Sequence, residues 1–441
     1  MDDDDMMLQL ARAAVAKATD AGAQGAWASA NGSREVEFTG RDGELEKVQE
    51  STSRKLNLSL YVDGRYSTHS TTSLREDRFD SFISEAVALT RALEPDENRE
   101  LPDPALFDGR SEDDLELTDA KVDSLSKNER RTWLDVLDEA ARTDARVISA
   151  TGYVGGTMSE GASASSNGFS GSWNGTQLWV GAEVTVADGE DKKPEGGYWV
   201  GVRHLDDLPD LEGVSREALR RATSRIGSAK GPSQKTAMIV DPTAGGRLLG
   251  RLLGAANARS IYQGRSFWKD TLGQKLLPEL LTITDEPLQK RGLGSRYYDG
   301  EGIAAKKRTI INAGVVETLF VDTYYGRKAG MEVTTGGRSN LIVQPGVDKG
   351  LEELCAEVGE GVYVTSWLGG NADGTTGDFS FGLRGHEVKG GVIGAPIGEM
   401  NVTGNLLELF ASLVMVGNDP WPYRSTQVPT LVFEGVDFSG A

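Results

Sequence analysis

Sulfur and imidazole are scarce in this chain. It has one cysteine, Cys355, and three histidines, His69, His204 and His386, among 441 residues. A single cysteine excludes an internal disulfide and any cysteine-rich zinc site. No histidine has a second His or a Cys at helical or hairpin metal-ligand spacing. Structural or surface roles are the plain assignment for all three. The chain also lacks a Gly-x-Ser-x-Gly elbow and a Walker-type phosphate loop. No apolar run approaches roughly 18 residues, so no segment reads as a membrane helix. The opening MDDDDMM is acidic where a secretory signal needs a basic start, and it reads as a short frayed leader on a cytoplasmic protein. Basic charge is in deficit as well. The net charge of −20 disfavours a nucleic-acid surface, because phosphate binding needs clustered Lys and Arg. Acidity of this kind mainly serves solubility.

What is present is a globular composition long enough for two or three domains. Glycine is abundant, and the 55 glycines are spread through strand-like segments rather than packed into a linker. Such a spread predicts many turns, bulges and close backbone approaches. Helical spacing over 8–22 is followed by strand candidates around Asp42-Gly43 and Asp63-Gly64, both hairpin signals. Residues 75–93 return to helical spacing, with Phe79, Phe82, Ile83, Ala86, Leu89 and Leu93 on one stripe. Residues 94–122, rich in Pro, Asp and Glu, read as a surface linker. A helix over 126–143, a Gly/Ser-rich β region over 147–205 and a helix opened by Ser215 come next. The last 200 or so residues hold many strands and few helices. The reading is α+β, with an N-terminal α+β region before a β-rich, antiparallel barrel-like or sandwich C-terminal domain. Its segments are 1–112, 113–231 and 232–441.

The helix "DPTAGGRLLGRLLGAANA" (Asp241–Ala258) is well made. Asp241 suits its cap and Pro242 its first turn. Leu248, Leu249, Leu252, Leu253 and Ala256 form an apolar stripe, with Arg247 and Arg251 on another face. Gly250 and Gly254 each cost about 1 kcal/mol against Ala in a helix, which predicts something packed close to them. The segment offers no group to hold a metal or move a proton. Two glycine-polar motifs follow, "EVTTGGRSN" (Glu332–Asn340) and "LGGNADGTTGDFSFG" (Leu368–Gly382). Adjacent glycines let another backbone approach closely, or simply form tight turns.

These stretches, with "LYVDGRYSTHSTTSL", "SNGFSGSW", "IYQGRSFWKDTLGQKL", "YYGRKAGMEVTTGGRSN", "TSWLGGNADGTTGDFSFGLRG" and "EMNVTGNLLELFASLVMVGNDPW", make the chain resemble the TldD/PmbA family over nearly its whole length. The resemblance implies a metallopeptidase subunit. TldD-like members carry His-Glu-x-x-x-His on the helix that matches Asp241–Ala258, and a cysteine near the C terminus. Here Leu249-Gly250-Arg251-Leu252-Leu253-Gly254 lies about where that box would fall, and "GNDPWPYRSTQVPTLVFEG" has no cysteine. The resemblance is therefore to the PmbA-like (TldE-like) branch. It implies no catalytic residue, metal ligand or cofactor in this chain, zinc in a TldD-like partner, and an extended peptide as substrate.

Candidate partner- or peptide-contact residues are Thr335, Gly336, Gly337, Ser339, Asn340, Gly369, Gly370, Asn371, Thr376 and Gly377. The expected function is a non-catalytic subunit of a heterodimeric zinc peptidase that degrades unfolded peptides or trims leader peptides. The alternatives are a peptide-binding homodimeric scaffold, and a stand-alone hydrolase that uses His69, His204 or His386. If the glycines are contact residues, Gly337→Val and Gly370→Val block assembly or peptide entry and leave the thermal midpoint nearly unchanged. Turn glycines would instead lose stability.

Overall fold

The computed structural model describes residues 3–440. Met1 and Asp2 of the acidic leader lie outside them. The rest of that leader is not frayed. Helix α1 (Asp3–Asp20) begins within it, and Met7 is buried at 2% exposure. Strands β1 (Gly25–Arg41), β2 (Glu44–Val62) and β3 (Arg65–Thr71) follow. They turn at Asp42-Gly43 and Asp63-Gly64, and all four turn residues have positive φ. That is the backbone a two-residue hairpin loop requires. Helix α2 (Glu76–Arg91) buries Phe79, Ile83, Ala86, Val87 and Thr90. Leu89 and Leu93, placed on that stripe by spacing, are instead exposed, because Val87 and Thr90 fill the sheet-facing side.

The segment over 94–122 is a strap rather than a free linker. It buries Phe107, Leu115, Leu117 and Val122, the last in the short helix α3 (Ala120–Ser124). Its backbone carbonyls at Asn98, Glu100 and Leu101 accept from Arg327, more than 220 residues away. Its Asp96 accepts from Tyr324 Oη at 2.6 Å. Proline and acid content made it look solvated, yet its own backbone acceptors tie the two halves of the chain together.

Helix α4 (Lys127–Ala141) starts at a Ser126–Glu129 capping box. Strands β4 (Val147–Ser165), β5 (Ser170–Val186) and β6 (Glu195–Val202) come next, then α5 (Leu211–Thr223). Asp210 caps α5, not Ser215, which is buried inside it. The six strands form one antiparallel sheet in the order β3-β2-β1-β4-β5-β6. Alternation sorts its faces. Even-numbered positions such as Ala28, Leu58, Ala162 and Leu178 meet the helices. Odd-numbered positions present Ser29, Asn31, Asn57, Ser163 and Trp173 to a cavity closed by residues 293–300.

The C-terminal half opens with β7 (Gln234–Val240), α6 (Pro242–Leu252) and α7 (Ala258–Tyr262). It continues through β8 (Ile283–Asp285), β9 (Arg308–Asn312), β10 (Val315–Val316), α8 (Thr323–Ala329), β11 (Leu341–Val343) and α9 (Leu351–Val358). Last come β12 (Gly361–Trp367), β13 (Asn371–Ala372), β14 (Asp378–Lys389), β15 (Val392–Asn405), α10 (Leu406–Ala411), β16 (Leu413–Val416), β17 (Thr426–Gln427) and β18 (Leu431–Ser439). Pairing of β12 with both β7 and β14 closes the ring β7-β12-β14-β15-β18 into a five-stranded barrel. The β7–β12 pair is parallel, so the barrel is mixed rather than wholly antiparallel. A second sheet, β10-β9-β8-β11-β17, lies beside it. The largest core fills the space between them and includes the leucines of α6. Cys355 is fully buried on α9, and burial raises its thiol pKa to about 11.

At Gly196 on β6 an added Cβ would fall 2.2 Å from the backbone nitrogen of Ala222 on α5. Gly196→Ala is expected to cost about 1–3 kcal/mol by forcing helix and sheet apart. Gly197→Ala, whose nearest neighbour is the Trp199 side chain at 3.2 Å, should cost clearly less. Urea unfolding of the two variants makes the comparison.

Candidate functional site

Helix α6 is held by its ends and its core side. Asp241 caps it, accepting from Thr243 N at 2.8 Å, and its other oxygen accepts from the Tyr363 hydroxyl. At the far end Trp268 Nε1 donates to Leu252 O at 2.8 Å. Leu248, Leu249, Leu252 and Leu253 are all buried. The opposite face is open. Arg247, Arg251 and Gly254 are exposed and Gly250 is half-buried. The close neighbour expected at Gly250 and Gly254 is absent. A Cβ on Gly250 would meet only Arg338 Nη1, at 3.9 Å, and one on Gly254 would meet nothing within 4 Å. The tight approach is at Gly245, where a Cβ would sit 2.7 Å from Val428 Cγ1.

Of the six residues at the expected zinc box, Leu249, Leu252 and Leu253 face the core, Arg251 and Gly254 are exposed and Gly250 is half-buried. No residue of α6 is a His, Glu or Cys. Among the described residues no three His, Cys, Asp or Glu side chains converge as a metal site. The residues of α6 therefore do not fit a zinc ion.

The histidines lie on three different elements with three different partners. His69 Nε2 is 2.7 Å from Ser67 Oγ, His204 Nε2 is 2.8 Å from the Glu116 carbonyl, and His386 Nε2 is 3.0 Å from the Ser224 carbonyl. Burial holds His69 and His386 below the ordinary imidazole pKa.

The two glycine-polar motifs flank the open face of α6. Arg338 of the first lies over Gly250, Arg247 Nη1 donates to Trp367 O at 3.2 Å, and Gly374 of the second reaches Ala255. Within the first motif, Ser339 is buried and its N donates to Asp285 at 2.9 Å, while Asn340 is 0% exposed and serves Gly294 N, Glu286 O and Ser295 Oγ. The carbonyls of Thr335 and Gly337 accept from Arg308, and Gly337 also from Arg296. Gly336 and Arg338 form the exposed crest. Asp285 and Arg308, an ion pair at 3.0 Å with Asp285 buried, anchor this loop from 54 and 27 residues away. Asp299, whose pKa burial raises, accepts from Gly336 N at 3.3 Å. No local sequence signal marks these anchors.

In the second motif, Asn371 opens the short edge strand β13, and Thr376 Oγ1 bonds Asp378. Gly370 and Gly377 have φ of +98° and +86°. A Cβ on Gly370 would lie 1.9 Å from the Ser380 carbonyl oxygen. The expectation that Gly370→Val spares stability is therefore wrong: Gly370 is required by the turn.

A six-stranded sheet covered by helices on one face, joined to a barrel-containing domain, is an architecture shared with one class of solved proteins. The chain superimposes with a TM-score of 0.94 on a Bacteroides thetaiotaomicron protein described as a modulator of DNA gyrase, at 38% identity and 98% coverage of each chain. A Thermococcus kodakarensis protein named TldE shares the fold, with a TM-score of 0.87 at 19% identity, covering 98% of this chain and 100% of the other. The metalloprotease PmbA of Escherichia coli O157:H7 is 28% identical over 87% of this chain and 85% of its own. Residues 120–226 match the PmbA/TldA metallopeptidase central domain, and residues 233–440 the C-terminal domain. This chain belongs to the PmbA/TldD family.

Gly370→Ala should lower stability by at least about 2 kcal/mol, combining left-handed strain with a backbone clash. Gly369→Ala, with nothing within 4 Å, should stay within about 1 kcal/mol. Thermal and urea midpoints report both.

Proposed function

We propose that this chain is the metal-free, TldE-like subunit of a two-chain peptidase whose catalytic zinc sits in a TldD-like partner. The observation that carries this reading is the open face of α6, built of Gly and Arg and without a His, Glu or Cys. In this reading the partner packs on that face and on the two motifs flanking it. An extended peptide runs along the resulting cleft, where β13 offers an unpaired edge. The setting is the cytoplasm. Among the described residues no helix is long and apolar enough to cross a membrane.

A second reading, a homodimer that captures peptides without cutting them, draws on the same face, since a bare helix surface serves a like copy as well as an unlike one. The stand-alone hydrolase is disfavoured by the separate engagement of the three histidines.

The deciding experiment purifies the chain alone and together with a TldD-like protein of the same organism, and follows mass, zinc content and cleavage of an unfolded peptide. Zinc and cleavage should appear only in the mixture. Stoichiometric zinc and cleavage in the isolated chain would overturn the reading. Gly254→Trp, in the turn just past the end of α6 on its open side, should keep unfolding stability within about 1 kcal/mol because a Cβ there meets nothing within 4 Å. The same variant should fail to form the active mixture. Unimpaired assembly would remove α6 from the contact.

A further inference from the structure

A second cavity, of 710 Å³, lies where α5 and β6 of the first sheet meet the barrel. Its wall includes Arg220, Arg221, Arg225, Arg384, Tyr363 and His386. In a chain with net charge −20, four arginines on one cavity are out of proportion. Two of them are spent. Glu217 takes Arg220 and Arg221 at 2.7 Å each, and Arg221 also faces Asp241 at 3.7 Å. The other two are not. Arg225 Nη1 donates to the Glu195 carbonyl, its Nε is buried with no partner, and among the described residues no carboxylate pairs with Arg225 or with Arg384.

Their guanidiniums instead repel one another. Burial first, and then Arg384, push Arg225 below its ordinary pKa, and the Glu195 carboxylate offsets only part of this. Behind them His386 is 6% exposed, with Nδ1 buried and unpartnered. Its Nε2 faces the Ser224 carbonyl, so that nitrogen carries the proton. Its ring lies 6.1 Å from that of Tyr363, whose hydroxyl is tied to Asp241. Glu183, Glu195 and Glu352 also border the cavity, and all three are exposed to water. Two partly buried guanidiniums on one cavity wall, neither held in a carboxylate ion pair, favour an anion that joins them.

We propose that this cavity is an oxyanion site in which Arg225 and Arg384 together grip a carboxylate or phosphate group. Guanidinium forks match the planar pair of oxygens that such a group presents. The group comes either from a free inorganic oxyanion or from the α-carboxylate at a peptide's C terminus. The site is independent of whether the chain assembles with a metal-bearing partner.

Calorimetric titration of the full chain with inorganic phosphate, with the tripeptide Ala-Ala-Ala and with its C-terminal amide tests this. The free acid or phosphate should bind and the amide should not. Tighter binding of the free acid identifies the peptide source, and tighter binding of phosphate the inorganic one. Arg384→Gln should weaken binding at least about tenfold, as loss of a charge-assisted hydrogen bond does. Arg216→Gln, on the same helix but paired with Glu212 on the surface, should leave it unchanged. Without ligand, Arg384→Gln should hold or raise the thermal midpoint, because it removes a repulsion and, among the described residues, no side-chain hydrogen bond or ion pair. No binding of phosphate or free acid by the wild type, equal binding by Arg384→Gln, or a fall in the ligand-free midpoint of that variant would each overturn the proposal.

Discussion

The carboxylate of Asp241 is the joint on which the two halves of the molecule turn. It ends β7 and caps α6, so it fixes where the barrel strand becomes the central helix. One oxygen serves the first turn of α6, and the other receives the hydroxyl of Tyr363 from the neighbouring parallel strand β12. Arg221 of α5, which belongs to the other sheet, donates to Thr243 Oγ1 at 3.1 Å and lies 3.7 Å from Asp241. A buried carboxylate is costly to desolvate unless hydrogen bonds and opposite charge surround it. Asp241 is 5% exposed and has both. Its neutralisation therefore requires helix, barrel strand and α5 to be in place together, and this couples the two domains.

Much of the secondary structure could be read directly because its causes are local. Asp-Gly pairs set the two N-terminal hairpins, and Asp241-Pro242 set the start of α6. The sheet faces follow from period-two alternation. The errors fall where partners are remote. The strap over 94–122 is held by Arg327 and Tyr324, more than 220 residues away, so its polar composition misled. Leu89 and Leu93 have the right helical phase, yet the sheet beneath is already filled by Val87 and Thr90. Ser215 looked like a cap because serine is a favoured N-cap residue, but the helix starts earlier, where Asp210 accepts from Gly213 N.

The motif over Thr335–Asn340 shows the same division more sharply. Its glycines and hydroxyls were legible as a special backbone, but their assignment to contacts treated all of them alike. The structure separates them by depth. Ser339 and Asn340 are consumed inside by Asp285, Gly294 and Ser295, while Gly336 and Arg338 remain outside. In the second motif Gly370 is bound to its turn and Gly369 is free. A sequence shows which residues permit an unusual backbone. Only the distances show which of them have side chains or carbonyls left over.

The same division by depth runs through helix α6. Most interactions that stabilise α6 lie on its capped end, its leucine side or its Trp268 end. The face that looks outward carries only the hydrogen bond from Arg247 Nη1 to Trp367 O at 3.2 Å among the described side-chain bonds. Side chains on that face add little to the core, so glycine and arginine stand there at the cost of helix propensity, about 1 kcal/mol per glycine. The core side has no such freedom, because Leu249 and Leu252 are wholly enclosed and a cavity there costs several times as much. The fold is thus carried by one face of the helix. The residues of the outward face can vary while the barrel around it keeps its shape.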